Sequence, residues 1–141
     1  MPINVIPYLV MDGNAKEAID FYKEVFNADV LGIITFGEMP PNPDFPMPEE
    51  EKNRVSHATI KIGDSVLMFS DTFPGQAHQK GNQVTICITL EDPEEAISYF
   101  EPLQKDGQVG MPLQKTDFSP AYGIVTDKFD VTFQIYTESQ H

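Results

Sequence analysis

The sequence is poor in cysteine and in long apolar segments, and each shortage excludes a class of protein. Cys87 is the single cysteine among 141 residues, so no internal disulfide can form and nothing indicates an oxidising compartment. No apolar run approaches the ~20 residues that a membrane-spanning helix needs. The first residues, Met1 to Asn4, lack the basic segment and apolar stretch of a signal peptide. We therefore expect a cytoplasmic protein without a membrane partner.

Basic residues are also scarce. The chain has 9 Lys and Arg against 22 Asp and Glu, which gives a formal net charge of −13. A field of that sign repels phosphate backbones and anionic lipid surfaces, so the composition predicts no nucleic-acid partner. The length fits one domain, 1–141, that can bury a core of its own.

An internal repeat is the strongest pattern that is present. Asn14 to Tyr22 matches Asp92 to Phe100 at an offset of 78 residues (92 − 14), with Glu, Ala and Ile at shared central positions. Asn14 and Asp92 are good helix N-caps, and the glutamates three residues later complete a capping-box pattern. Each copy therefore predicts the start of a helix.

The apolar spacing defines the buried side of both predicted helices. Pro93 suits the first position of the second helix, whereas Pro102 is expected to kink that helix or end it early. The predicted stripes are Ala15, Ala18, Ile19, Tyr22, Val25 and Phe26 in the first helix, and Ala96, Ile97, Phe100 and Leu103 in the second.

Alternating or apolar segments predict four strands in each half, in the order strand, helix, three strands. This is an α+β fold of two βαβββ modules, the first about 1–75 and the second about 76–141. The predicted strands are Val5 to Val10, Ala28 to Phe36, Val55 to Ile62 and Ser65 to Ser70, then Val84 to Leu90, Gln108 to Leu113, Tyr122 to Thr126 and Val131 to Thr137.

Two segments lie outside this pattern. The insertion 37–54 holds five prolines, which exclude a helix or a central strand. It is either a solvated loop or a lid whose apolar side chains are Phe45 and Met47. Residues 71–82 form the linker between the halves.

The motifs and the repeat together resemble the vicinal-oxygen-chelate superfamily of glyoxalases, bleomycin-resistance proteins and dioxygenases. Within it they are similar to the PhnB-like branch, whose members are often labelled demethylubiquinone-methyltransferase-like. The resemblance covers nearly the whole chain. It rests on Pro7-Tyr8-Leu9, Asp12-Gly13-Asn14-Ala15 with Glu17-Ala18, Phe21-Tyr22, His57-Ala58, Leu67-Met68-Phe69-Ser70-Asp71, Gly110-Met111-Pro112-Leu113, Tyr122-Gly123 and Asp127-Lys128-Phe129.

This resemblance implies that each module curls its sheet into half of a cup around a small-molecule pocket. The helices would pack on the convex side, and the protein would be a homodimer. No phosphate-binding glycine motif and no S-adenosylmethionine pattern supports the methyltransferase label.

Strand alternation then predicts which side chains line the cup. The offset of 78 residues assigns Pro7 and Leu9 to the cup and Tyr8 to the helix side, because it aligns Pro7 with Thr85. Cys87 is expected to be a small buried filler. The candidate pocket consists of Pro7, His57, Met68, Ser70, Thr85, Gln134 and Tyr136.

The resemblance also locates the positions at which metal-dependent members hold their ion. Those positions carry Pro7, Met68, Thr85 and Gln134, which are unsuited to Mg, Mn or Fe. His78 and His141 fall in a loop and at the terminus, so no ligand cluster can be assembled around His57. We therefore expect neither a metal nor another cofactor.

Three functions remain open. The first is metal-free binding of a small, partly apolar molecule in the cup. The alternative is a lyase- or transferase-type enzyme in which His57 acts as acid or base. Against a catalytic role, His57 is more simply a histidine that is hydrogen-bonded within the sheet or at a dimer contact. The third is an interaction protein that has lost its ligand site.

Overall fold

A computed structural model of the chain describes residues 3–40, 44, 47–73 and 76–139. The chain divides into two compact units, residues 1–79 and 80–141. Each unit contains one helix and a four-stranded mixed sheet, in the order strand, helix, three strands. The predicted α+β class with two βαβββ modules is thereby confirmed.

The first unit is built on a sheet whose strands lie in the order β1-β4-β3-β2. Strand β1 pairs in parallel with β4, and the other two pairings are antiparallel. The elements are β1 (Tyr8–Met11), α1 (Ala15–Phe26), β2 (Asp29–Thr35), β3 (Val55–Ile62) and β4 (Ser65–Asp71).

The second unit repeats this arrangement with strand order β5-β8-β7-β6. Here β5 pairs in parallel with β8, and β7 pairs in antiparallel fashion with both β8 and β6. The elements are β5 (Ile86–Leu90), α2 (Pro93–Gln104), β6 (Gln108–Gln114), β7 (Tyr122–Thr126) and β8 (Thr132–Thr137). Val84, predicted to start β5 as a core residue, lies before the strand and is 84% exposed.

Helix α1 packs on its sheet through the predicted stripe. All of the stripe is buried except Val25, which is half-buried. The ring of Tyr22 lies 5.9 Å from that of Phe69 on β4, and both side chains are fully buried. This contact identifies the helix side of the first sheet.

Helix α2 differs from its prediction in two respects. It continues past Pro102 to Gln104, so the prediction of an early end is wrong. Pro102 lacks the N–H that would bond to the carbonyl of Ser98 in the preceding turn, and only two further residues belong to the helix. Ile97 is 47% exposed rather than buried, because α2 rests on Ala96, Phe100 and Leu103 alone.

A glycine on β7 allows α2 to approach its sheet closely. A Cβ added to Gly123 would lie 2.7 Å from Cε2 of Phe100 and 3.1 Å from the backbone of Leu113. The helix side of the second sheet therefore includes Gly123 and its cross-strand neighbour Ile135, which is fully buried.

The two helices are capped by different groups. Asp92 accepts a hydrogen bond from the Glu94 amide at 3.0 Å, as its N-cap position predicts. The same prediction for Asn14 is wrong: its side chain makes no capping bond. Asp71, at the end of β4, caps α1 instead, and its Oδ1 accepts from the Ala15 amide at 3.0 Å.

The register of β1 corrects the predicted alternation. Tyr8 lies opposite Met68, and Leu9 lies opposite buried Phe69, so Tyr8 faces away from α1 and Leu9 faces toward it. The prediction that Pro7 and Leu9 face away from the helix is therefore wrong. Pro7 comes one residue before β1, and its carbonyl accepts from the Met68 amide at 3.1 Å.

The cause of this error lies in the connection between strand and helix. Residues 12–14 separate β1 from α1, whereas only residues 91 and 92 separate β5 from α2. The offset of 78 residues was taken from the two helices, and the equivalent strands β1 and β5 are one residue further apart than that. An alignment that is wrong by one residue assigns every strand side chain to the opposite face of the sheet.

The proline-rich insertion contains two short 3₁₀ turns, Phe36–Glu38 and Glu49–Glu51, among the residues that the structure describes. Arg54, the last residue of the insertion, binds the residue that follows β4: Nη2 donates to the carbonyl of Thr72 at 3.1 Å. Nε of Arg54 lies 3.2 Å from the Glu51 carboxylate. Met47 is half-buried, and the predicted lid residue Phe45 lies outside the described residues, as does His141.

In the described part of the chain, neither helix is long and apolar enough to cross a bilayer.

Candidate functional site

The candidate site residues other than Pro7 lie on the faces of the two sheets that point away from α1 and α2, here called the helix-distal faces. In the closing strands the alternation is as predicted. Leu67, Phe69, Phe133 and Ile135 are buried on the helix side, whereas Val66, Met68, Ser70, Thr132, Gln134 and Tyr136 are half-buried on the other.

His57 is held between two hydroxyl groups on the helix-distal face of the first unit. The hydroxyl of Tyr8 lies 3.2 Å from Nδ1, and Oγ1 of Thr59 lies 3.3 Å from Nε2. The rings of Tyr8 and His57 have centroids 5.8 Å apart. Since a hydroxyl can both donate and accept, this pair accommodates either neutral tautomer of the imidazole.

Met68 and Ser70 border this group on β4. Met68 lies opposite Tyr8 on one side and Thr59 on the other, so its thioether is next to the His57 cluster. Ser70 lies opposite Val10, which is 49% exposed. The first unit thus presents an imidazole, hydroxyls and a thioether together with apolar surface.

Gln134 is the centre of a hydrogen-bonded chain on the helix-distal face of the second unit. Its Nε2 donates to Oγ1 of Thr85 at 3.0 Å, and its Oε1 accepts from the hydroxyl of Tyr122 at 2.5 Å. These two bonds fix the orientation of the amide. The structure therefore brings the predicted residues Thr85 and Gln134 together.

Three aromatic rings lie beside this chain. Phe118 stacks on Tyr136 with centroids 5.9 Å apart and an interplanar angle of 15°. Tyr122 meets Phe118 edge to face at 4.9 Å. Such arrangements are the favoured geometries of aromatic pairs. Phe118 remains 49% exposed, so part of its ring is available to a ligand.

Cys87 lies on the same face, opposite Gln134. Its side chain is exposed, so the prediction of a buried filler is wrong. Partial desolvation raises the pKa of the Cys87 thiol above its usual value of 9.0. The thiol therefore stays neutral at physiological pH.

The side chains at the positions where the resemblance implies a metal do not form a metal site. Gln134 is bonded to Thr85 and Tyr122, and the register places Tyr8 rather than Pro7 beside Met68. A thioether, two hydroxyls and one amide do not suit a hard divalent cation. Across residues 3–40, 44, 47–73 and 76–139, no three His, Cys, Asp or Glu side chains cluster as metal ligands would.

Sequence reasoning missed Tyr8, Tyr122 and Phe118. Tyr122 could have been found, because the predicted hairpin places it directly opposite Tyr136 and hence on the same face. Tyr8 was missed because of the shifted offset. Phe118 lies in a loop, for which alternation makes no prediction.

Comparison with known proteins agrees with the fold described above. A family model described as the Glyoxalase/Bleomycin resistance protein/Dioxygenase superfamily matches residues 5–135. The chain is 32% identical to Protein YjdN of Escherichia coli, and the match covers 99% of this chain and 97% of that protein.

Two solved structures have the same fold. Protein PA1353 from Pseudomonas aeruginosa has a TM-score of 0.86 at 28% identity, covering 99% of this chain and 100% of that one. A putative 3-demethylubiquinone-9 3-methyltransferase, PhnB protein, from Bacillus cereus has a TM-score of 0.79 at 26% identity, covering 96% and 99%.

Proposed function

This chain belongs to the glyoxalase/bleomycin resistance/dioxygenase superfamily, and from that premise we propose that it binds a small, partly apolar molecule without a metal ion. The observation that carries the proposal is the composition of the helix-distal faces. They combine apolar surface with hydroxyl, amide and imidazole groups that are held by side-chain hydrogen bonds.

Two features of these faces support a binding role. First, the polar groups are already fixed by their neighbours, so a ligand does not have to order them, which reduces the entropic cost of binding. Second, thioether and aromatic side chains at Met68, Tyr136 and Phe118 remain half-buried or exposed and can gain contacts from an apolar ligand.

A thermal-shift screen of the full chain tests the proposal. A molecule present at ten times its Kd stabilises the folded state by about 1.4 kcal/mol, which raises the Tm of a domain of this size by about 3–5 °C. We expect such a shift from at least one small, partly apolar molecule. We expect the same shift in the presence of excess EDTA or excess Mn²⁺.

A pair of variants separates binding at these faces from binding elsewhere. Tyr136→Leu should reduce the ligand-induced shift. Ile97→Ser changes an apolar residue on α2 that is 47% exposed, and it should leave the shift unaltered. The proposal is abandoned if no compound of a chemically broad library stabilises the chain, or if stabilisation requires a divalent cation. The first result would favour an interaction protein without a ligand.

The alternative is a lyase- or transferase-type enzyme that uses His57 as acid or base. Both ring nitrogens lie within hydrogen-bonding distance of a protein hydroxyl, so a substrate would have to displace Tyr8 or Thr59 before it could exchange a proton. The geometry thus favours an oriented sheet histidine. In any assay that detects turnover, loss of activity in His57→Gln would support the enzyme.

We further propose that the protein is a cytoplasmic homodimer. Support comes from the family and from apolar residues exposed on the edge strand β2, where Leu31 is 59% and Ile34 is 48% exposed. Light scattering after gel filtration should give twice the mass of the chain. A single-chain mass at every concentration would contradict the dimer.

A further inference from the structure

The helix-distal face of the second unit is made of uncharged side chains. Register and alternation place hydroxyl, amide, thiol, aromatic and aliphatic groups there, with no Lys, Arg, Asp or Glu side chain among them. They are Thr85, Cys87, Thr89, Met111, Tyr122, Ile124, Thr126, Thr132, Gln134 and Tyr136.

Phe118 is added to this face by a loop that is rigidly held. Oγ1 of Thr116 accepts from the amides of Phe118 at 3.3 Å and Ser119 at 3.1 Å. Ser119 is 2% exposed and donates to the carbonyl of Thr137 at 2.6 Å. The half-exposed phenyl ring is therefore presented in a fixed position above β8, where it stacks on Tyr136.

The Gln134 amide lies in this face with part of its hydrogen-bonding capacity left over. A primary amide has two N–H donors and two carbonyl lone pairs, and one of each is used by Thr85 and Tyr122. One donor and one acceptor site remain beside the aromatic rings. A carbonyl on a ring can accept from the remaining N–H, and an amide or a hydroxyl can match both sites.

Charge distinguishes this face from its counterpart in the first unit. The first has the charged residues Lys61 and Asp29 opposite each other on its helix-distal face, whereas the second has no charged side chain among the residues just named. In sequence, Lys115 directly follows β6, Asp117 directly precedes Phe118 and Glu138 directly follows β8, in a chain of net charge −13. An anionic ligand would lose hydration there without gaining a cationic partner among these residues.

We propose that the helix-distal face of the second unit selects an uncharged aromatic ligand with a hydrogen-bonding substituent, the ring stacking on Phe118 and the substituent bonding to Gln134. This inference rests on the proposed function and specifies the ligand class. Phe118 and Tyr136 supply the stacking surface, and Tyr122 is a positioning residue that fixes the Gln134 amide.

Three probes test the ligand class, with binding followed by amide NMR on the full chain. Naphthamide combines ring and neutral amide, naphthoate replaces the amide by a carboxylate, and cyclohexanecarboxamide replaces the aromatic ring. We expect naphthamide to shift the side-chain amide of Gln134 and the backbone amides of β8. We expect naphthoate to bind about tenfold more weakly, and cyclohexanecarboxamide about fivefold more weakly.

Two phenylalanine variants provide a matched comparison. Phe118→Leu should weaken naphthamide binding about tenfold, because the stacking surface is lost. Phe73→Leu removes another exposed ring, which lies in the first unit 5.3 Å from Phe36, and it should leave the affinity unchanged.

Several outcomes would overturn the inference. The inference is wrong if naphthoate binds as tightly as naphthamide. It is also wrong if naphthamide produces no chemical-shift changes. Shifts confined to the surroundings of His57 and Met68 would place the ligand in the first unit and would overturn this inference while leaving the proposed function standing. The proposed function itself fails if the broad thermal-shift screen gives no stabilising molecule, or if stabilisation requires a divalent cation.

Discussion

Replacing Asp71 should reveal how much of the first unit depends on one carboxylate. The side chain is 3% exposed. Its Oδ1 accepts from the Ala15 amide at 3.0 Å, and its Oδ2 accepts from the Val55 amide at 2.8 Å. The end of β4, the start of α1 and the start of β3 are thereby joined through two buried hydrogen bonds.

The expected cost follows from these two bonds. Asp71→Ala leaves two buried N–H groups without partners, each worth about 1–3 kcal/mol, so the free energy of unfolding should fall by about 4 kcal/mol. Asp71→Asn keeps one acceptor oxygen but turns an NH₂ group toward the second backbone N–H. Asp71→Asn should therefore lower the free energy of unfolding by about 2 kcal/mol, which is less than the loss expected for Asp71→Ala.

Urea unfolding followed by far-UV circular dichroism and tyrosine fluorescence measures both values. Asp92 provides the control, since it is exposed and its Oδ1 accepts from the Glu94 amide at the start of α2. Asparagine is as good an N-cap as aspartate, so Asp92→Asn should cost less than Asp71→Asn. The reasoning is refuted if Asp71→Ala costs under ~1 kcal/mol, or if Asp71→Asn matches the wild type.

Three further predictions concern the second unit. The hydrogen bond to Glu95 raises the pKa of Tyr99 to about 12; the folded state keeps this proton while the unfolded state releases it near pH 10. Stability should therefore decline between about pH 10 and pH 12, and the decline should be smaller in Tyr99→Phe, as urea unfolding in alkaline buffers would show. Because desolvation raises the pKa of the Cys87 thiol, iodoacetamide should alkylate it more slowly at pH 7.5 than it alkylates free cysteine, despite its exposure; an equal or faster rate contradicts this. Gly123→Ala should lower the free energy of unfolding by about 1–3 kcal/mol, because the new Cβ overpacks against α2. Gly110→Ala should lower it less, because its Cβ would lie 3.4 Å from the nearest atom. Thermal unfolding of the two variants measures the difference.

Much of the fold could be predicted because its signals are local. The bounds of β3 and β7 are the predicted ones, and α2 begins with Pro93 after an Asp92 cap. The cap of α1 could not be predicted in this way, since Asp71 lies 56 residues from Ala15 and reaches it only through the folded sheet. The family resemblance is confirmed, because it rested on motifs spread over nearly the whole chain.

The face on which a candidate site residue lies could be predicted where the same strand also contains a clear pattern of buried apolar residues. Leu67 and Phe69 anchor β4, so Met68 and Ser70 were placed on the correct face. Strand β1 has no comparable pattern of its own, so its faces were assigned from the second unit and came out reversed. Ligand-binding roles for Pro7, His57, Met68, Ser70, Thr85, Gln134 and Tyr136 remain predictions.

The longer connection before α1 also has an evolutionary consequence. Gly13 has φ +89° there, and a Cβ on it would lie 2.7 Å from Nη1 of Arg54, so the extra residue occupies a crowded turn that suits glycine. The turn absorbs the extra residue, because Tyr8 opposite Met68 and Cys87 opposite Gln134 keep equivalent places on the helix-distal faces. A duplicated module can thus change the length of this connection without altering which strand side chains its sheet presents.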